Sequence, residues 1–184
     1  MYQRIEPRQP ENLPVAIIDV DDASLTEIGQ WPWPRTVFAD LLEDLAEAGA
    51  VAVAFDIVFA EPDRLSPKAI AASNEQLNQL IAAGLRGMPD HDAVFAQAFE
   101  KMPVIVGQTN VRRGLVSGTS TTKVPDVSFG LQGPDPAELI LSFPKLVQHL
   151  PVLEAAAAGR GMFSIRPDPA GVYRNPPLVM YAEG

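Results

Sequence analysis

Continuous apolar runs alternate with amphipathic stretches along the first part of the chain. Three runs have the length of a strand: residues 15–20, 51–59 and 103–109. Their apolar residues are consecutive rather than alternating, which is typical of strands buried on both faces of a parallel sheet. The pattern therefore predicts one α/β domain with a mainly parallel central sheet, helices on both faces and a right-handed first crossover.

Helix signals lie between these runs. Ser24 and Glu27 have the spacing of a capping box, and Gly29 is placed to end that short helix. A crossover helix is predicted from Pro34 or Arg35, because proline is tolerated in a first turn. Its apolar stripe faces the sheet and consists of Val37, Phe38, Leu41, Leu42 and Leu45. Later helices are expected at Ser66-Pro67, after Asp90, and from Pro151 to Ala158.

The two ends and one long loop complete the predicted organisation. Residues 1–13 are polar and are interpreted as an extended lead-in, so the folded domain spans 14–184. Residues 112–138 are rich in Gly, Ser, Thr and Pro, which favours an irregular loop. Residues 162–165 and 172–181 are predicted to form a C-terminal antiparallel hairpin.

Composition narrows the class of protein. Of 184 residues, 47% are hydrophobic, which indicates a folded globular chain. A net charge of −9 and a pI near 4.6 argue against nucleic acid or an anionic membrane surface as partner. The chain has no cysteine, so disulfides and thiolate chemistry are excluded. No apolar run reaches the roughly 18 residues of a membrane span.

Carboxylates crowd the carboxyl ends of the first two predicted strands, where open parallel sheets bind ligands. They are Asp19, Asp21, Asp22, Asp56, Glu61 and Asp63. Their repulsion needs compensation. Arg35 and the N–H groups of the Ser24 turn can supply it in a purely structural arrangement. The other interpretations are a contact with a small molecule, or a Ca²⁺ or Mg²⁺ ion held by Asp19, Asp21 and Asp56.

Aromatic and imidazole side chains add weaker candidates. Trp31 and Trp33 lie on a stiff Trp-Pro-Trp-Pro segment and either pack a loop or form a wall for a ligand. His91 and His149 have no partner motif in the sequence, so both are predicted to be surface residues.

Three stretches are similar to the opening of a known family: Val15–Leu25, Gly29–Arg35 and Ala54–Asp63. The second contains Trp-Pro-Trp-Pro-Arg and the third Phe-Asp-x-x-Phe-x-Glu-Pro-Asp, and the two together are specific. Gly161–Ile165 and the turn at 168–171 resemble the family's closing segment, although Ala170 stands where an acidic residue is common. On these motifs the chain resembles a CHASE domain of type 2.

The resemblance implies an extracytoplasmic sensory domain, periplasmic or on the cell exterior, of a membrane-bound bacterial receptor. Its output is then an adenylate or guanylate cyclase or a histidine kinase, and flanking membrane helices tether it. No catalytic residue and no cofactor are required in the domain itself. A small-molecule or ion signal is expected, and a homodimer with its contact near Trp31–Arg35.

One enzyme alternative starts from Asp19 and Asp21. An Asp-x-Asp pair after an apolar run is also the first motif of metal-dependent phosphohydrolases of the haloacid-dehalogenase type. That chemistry further needs a positioned lysine and a later acidic pair, and the sequence after each lysine lacks such a pair.

Overall fold

A computed structural model of the chain describes residues 14–73, 79–110, 133, 140–143, 146–163, 171–172, 177 and 179–182. The chain divides into two compact units, Met1–Trp33 and Pro34–Gly184. The lead-in at 1–13, most of the loop predicted at 112–138 and the turn residues 168–170 lie outside the described residues.

In the first unit an extended segment leads into a short helix. Helix α1 is Asp22–Ile28, and its N-cap is Asp21 rather than the predicted Ser24. Gly29 ends it with a φ of 116°, a conformation that favours glycine. The first strand, predicted at 15–20, is wrong, because this run pairs with no other strand among the described residues and Ile17 is 91% exposed. A continuous apolar run indicates a tendency to be buried, but only a backbone partner makes it a strand.

The second unit opens with the predicted crossover helix, which is confirmed. Helix α2 is Arg35–Glu47, with Pro34 as its N-cap. Phe38, Ala39 and Leu42 are buried, as the apolar stripe predicts in part. Among the described residues, four more α-helices follow: α3 Pro67–Ser73, α4 Gln79–Arg86, α5 His91–Ala98 and α6 Pro151–Ala156. Asp90 caps α5 by accepting from the Asp92 N–H at 3.0 Å, as predicted.

Strand β2, Val104–Asn110, is central to the described sheet. It pairs in parallel with β1, Val53–Ala54, and with β5, Gly159–Met162. It pairs antiparallel with β4, Leu146–Val147. The predicted parallel neighbours at 51–59 and 103–109 are therefore confirmed, although β1 is far shorter than the apolar run that contains it. The α/β class holds, and the sheet is mixed.

The C-terminal hairpin predicted at 162–165 and 172–181 lies largely outside the described residues and stays a prediction. Strand β5 runs parallel to β2, and β6, Met180–Ala182, runs parallel to β3, Leu141–Phe143. Each of these two strands pairs with a strand that is distant in sequence. Local turn chemistry favours a hairpin and carries no information about such partners.

Phenylalanine rings from α2, from α5 and from the segments that follow β1 and α5 pack together in the core of the second unit. They meet edge-to-face at centroid separations from 4.9 to 6.0 Å and are Phe38, Phe55, Phe59, Phe95 and Phe99. Such geometry is favourable beyond the burial of apolar area alone. This cluster fixes α2 and α5 relative to β1 and to the 59–66 loop that follows it.

Candidate functional site

An open groove lies along α1 in the first unit. Asp22, Leu25 and Thr26 line it from one face of the helix, at positions i, i+3 and i+4, and Gln30 and Trp31 complete the lining. Its volume is about 580 Å³, within the range of small-molecule sites. Two of the predicted ligand residues, Asp22 and Trp31, are thereby brought together.

The two tryptophans have different environments. Trp33 is 7% exposed, and its indole N–H donates to the carbonyl of Gly29 at 2.7 Å. Trp31 is 38% exposed and meets Trp33 edge-to-face, with ring centroids 5.7 Å apart. Trp33 therefore packs, and Trp31 presents part of its ring to the groove.

Asp21 and Ser24 have a local structural role. The carboxylate of Asp21 accepts from the Ser24 hydroxyl at 2.6 Å and from its N–H at 2.8 Å. The hydroxyl bond first, and then the backbone bond, hold the pKa of Asp21 below its ordinary value of 3.8. Asp21 thus serves as the N-cap of α1. No observation favours it as an acid/base group of a phosphohydrolase.

Arg35 is the centre of a buried ion network in the second unit. Its Nε lies 3.3 Å from Asp92 Oδ1, an ion pair without hydrogen-bond alignment. Its Nη2 donates to the carbonyl of Glu61 at 3.1 Å, and its Cζ lies 4.6 Å from the centroid of the Phe59 ring. The side chains of Arg35 and Asp92 are only 11% and 7% exposed. The prediction that Arg35 compensates nearby carboxylates is right. Its ion-pair partner Asp92, however, was not among the predicted carboxylates.

Asp63 joins the 59–66 loop to the first turns of two helices. Its Oδ2 accepts from the Arg35 N–H at 2.9 Å and lies 2.9 Å from His91 Nδ1. Its Oδ1 accepts from the Leu65 N–H at 2.8 Å. Burial raises the pKa of Asp63, but these donors outweigh it and leave that pKa below its ordinary value of 3.8. Both carboxylate oxygens therefore have protein partners.

Asp92 has the opposite electrostatic balance. Burial is the largest effect and leaves the pKa of Asp92 above its ordinary value of 3.8, against the Asp63 N–H bond at 2.9 Å and the charge of Arg35. The partners of Asp92 therefore offset the cost of burying its carboxylate only in part.

His149 is a second buried polar group, and the prediction that it lies on the surface is wrong. It is 2% exposed, and its ring contacts the N–H of Phe59 and the carbonyl of Gly107. Its own backbone N–H donates to Glu154 at 3.2 Å, and Glu154 pairs with Arg160. The surface prediction is also wrong for His91, which is half-buried and pairs with Asp63.

The remaining candidates are more exposed. The side chains of Asp19, Asp56 and Glu61 are exposed, and among the described residues no three His, Asp or Glu side chains are grouped so that they could hold a metal ion. A Ca²⁺ or Mg²⁺ site at Asp19, Asp21 and Asp56 stays a prediction.

Sequence reasoning missed Asp92 and His149. Asp92 follows the N-cap Asp90 closely, so it looked like an ordinary first-turn acid. His149 lies just before the proline that opens α6, and nothing local signals that it is buried. The sequence offered one weak signal for His149, which is that the chain has only two histidines. In the structure, both of them join separate segments.

Comparison with protein-family models identifies the family of the chain. The CHASE2 domain matches residues 1–183. The chain belongs to the CHASE2 domain family, whose members are extracellular sensory domains, and the resemblance read from its motifs is confirmed. No curated protein and no solved structure matches the chain. Within the described residues, no helix has the length and apolar character needed to cross a membrane.

Proposed function

We propose that this domain is the extracytoplasmic sensor of a membrane-bound bacterial receptor whose output is a cytoplasmic adenylate or guanylate cyclase or a histidine kinase. The family match over residues 1–183 carries the proposal. Membrane helices flanking the domain tether it. Sequencing the complete gene tests this, because it should encode a hydrophobic helix before the domain and a signalling domain beyond further membrane helices. A gene encoding neither would contradict it.

The groove along α1 is the proposed site of the signal molecule. Asp22 supplies a carboxylate, and Trp31 supplies part of an aromatic face. The Thr26 hydroxyl donates to the Asp22 carbonyl at 2.8 Å, so its oxygen can accept from a ligand. A carboxylate beside an indole face, in a chain of net charge −9, favours a small organic cation.

The shape of the groove limits the affinity. Tight small-molecule sites enclose most of the ligand surface, whereas this groove is open to solvent. Attraction between a cation and an aromatic face contributes about 0.5–1 kcal/mol at an exposed site. Binding of a simple cation is therefore expected in the millimolar to high micromolar range.

Choline and its uncharged isostere 3,3-dimethyl-1-butanol test the groove. Calorimetry on the whole domain should show saturable binding of choline and none of the alcohol. Asp22→Asn should weaken choline binding several-fold, because the substitution removes the carboxylate and leaves the shape. Asp40→Asn, on the exposed side of α2, is the matched control and should not change it. Equal binding of both probes, or equal loss in both variants, would sink the assignment of this ligand class.

A further inference from the structure

The imidazole of His149 joins two segments that are far apart in sequence. Its Nδ1 lies 3.0 Å from the backbone nitrogen of Phe59, 90 positions earlier, and its Nε2 lies 2.6 Å from the carbonyl oxygen of Gly107, 42 positions earlier. The Leu150 N–H donates to the Phe59 carbonyl at 2.9 Å and continues the same contact. His149 therefore links the start of the 59–66 loop to β2.

Its two partners fix the protonation state of the ring. A backbone N–H can only donate, so Nδ1 accepts from Phe59. A carbonyl can only accept, so Nε2 carries a proton and donates to Gly107. Only the neutral imidazole with its proton on Nε2 satisfies both bonds. A proton added at Nδ1 would place a donor against the donor of Phe59.

The charged groups around the ring do not stabilise an imidazolium strongly. Glu154 of α6 accepts from the His149 N–H, but it is already paired with Arg160 of β5. Arg35 of α2 lies against the Phe59 ring, which is 6.1 Å from the imidazole between centroids. Burial first, with Arg160 and Arg35 adding to it, lowers the pKa of His149 below its ordinary value of 6.5, against the Gly107 bond and Glu154.

We propose that His149 is a proton-responsive link: acidification protonates the imidazole, breaks its bond to Phe59 and releases the His149–Leu150 segment from the 59–66 loop and β2. The proton is then a second signal for the domain. This inference does not depend on the groove or its ligand. It concerns local opening, and the rest of the fold stays intact when the link opens.

The direction of the effect follows from linkage. The neutral ring is the form that the closed state holds, so the open state binds the proton more readily. The stability that the link contributes is fully present above about pH 6.5, the ordinary value, and is lost as the pH falls through the lower pKa of the folded protein. Between those two values the opening constant should rise about tenfold for each pH unit, because opening takes up one proton.

Hydrogen exchange on the whole domain, read residue by residue by NMR from about pH 7.5 to about pH 5, measures this opening. After correction for intrinsic rates, the amides of Phe59 and Leu150 should lose protection below about pH 6.5 with the slope of one proton. The Phe55 amide is the internal control, since it donates to the Ile105 carbonyl at 2.9 Å in the β1–β2 pair and should keep its protection. If Phe55 and Phe59 lose protection together, the molecule unfolds as a whole and the local link is wrong.

Two variants separate the histidines. His149→Gln keeps a donor and an acceptor at the same spacing but does not titrate, so its Phe59 exchange should be independent of pH after correction. His91→Gln, at the other histidine of the chain, should retain the response of the wild type. If His149→Gln does not fold, nitrogen-15 shifts of the wild-type ring decide instead. They should show a neutral ring with its proton on Nε2 at neutral pH, and a proton on Nδ1 with the link closed would overturn the proposal.

Discussion

At the residue scale, the buried ion network depends on the side chain of Arg35. The guanidinium of Arg35 contacts a carboxylate, a carbonyl and an aromatic ring from three different segments. Removing it leaves Asp92 buried beside Asp63 with no cation opposite Oδ1. Breaking a buried pair from one side costs far more than a surface pair contributes, because the remaining charge stays desolvated.

Arg35→Ala should therefore lower the free energy of unfolding by about 3–5 kcal/mol, measured by urea denaturation at neutral pH. The matched control is Arg64→Ala in the same loop region, where the side chain is exposed, and its effect should stay within about 0.5 kcal/mol. Burial already raises the pKa of Asp92, and loss of Arg35 raises it further. The defect should accordingly shrink as the pH falls and Asp92 takes up a proton. Equal losses in the two variants would show that the network is not what stabilises the loop.

How far single residues could be predicted depends on where their partners lie. Arg35 was recognised because the carboxylates crowd near it in sequence, and Asp63 belonged to that set. His149 was not, because its burial requires backbone groups 42 and 90 positions away. A side chain whose environment is built by distant segments leaves no local pattern.

At the element scale, β2 allows no side chain at Gly107. A Cβ there would lie 2.4 Å from the Phe55 carbonyl oxygen and 2.7 Å from a ring carbon of Phe163. The first neighbour is backbone and cannot rotate away. The absence of a side chain lets the segment directly after β1 approach β2 closely, and the same glycine presents its carbonyl to His149.

Gly107→Ala is expected to destabilise the domain by about 1–3 kcal/mol, the usual cost of overpacking a filled site. Thermal unfolding followed by circular dichroism measures it. Gly161→Ala on β5 is the control, because a Cβ there meets only an Ile105 methyl carbon at 3.6 Å, an ordinary contact. A Gly161→Ala loss as large as that of Gly107→Ala would mean that strand glycines matter here for a reason other than this close approach.

Helices were more predictable than strand pairings. Helices α2 and α5 follow from proline or Asp at the start and an apolar stripe, all of which lie within one stretch of sequence. The strand predicted at 15–20 failed for the opposite reason. Apolar character shows that a segment tends to be buried, but its pairing partner is decided by segments elsewhere in the chain.

At the scale of the whole molecule, the first unit exposes an unusual amount of apolar surface. Val15, Ile17 and Ile18 are all exposed, and Ile17 is 91% exposed. Single exposed apolar residues are ordinary, whereas a contiguous run of them marks a surface that associates. The dimer contact near Trp31–Arg35 stays a prediction, and in that segment Trp33 and the Arg35 side chain are buried while Trp31 is 38% exposed.

We expect the domain to form a weak homodimer through the Val15–Val20 run. Sedimentation velocity over a concentration series should show self-association that Ile17→Asp abolishes, because a carboxylate in an apolar contact is strongly disfavoured. Ile81→Asp on α4 is the matched control, as Ile81 is 55% exposed but lies outside the run, and it should leave association intact. If the domain is strictly monomeric at high concentration, the predicted dimer is wrong. If both variants lose self-association, the contact does not lie in the Val15–Val20 run.

The pairing of Phe59 with residues 149 and 150 also decides when the chain can finish folding. The N–H and the carbonyl of Phe59 bond to residues about 90 positions later in the chain. Neither bond can form until those residues have been synthesised. Closing so long a loop is slow compared with forming helices such as α2 and α5. In a chain exported from its N-terminus, these two bonds therefore cannot form until residues 149 and 150 have also crossed. For an extracellular domain, these bonds between distant segments should therefore form in the compartment in which the domain senses.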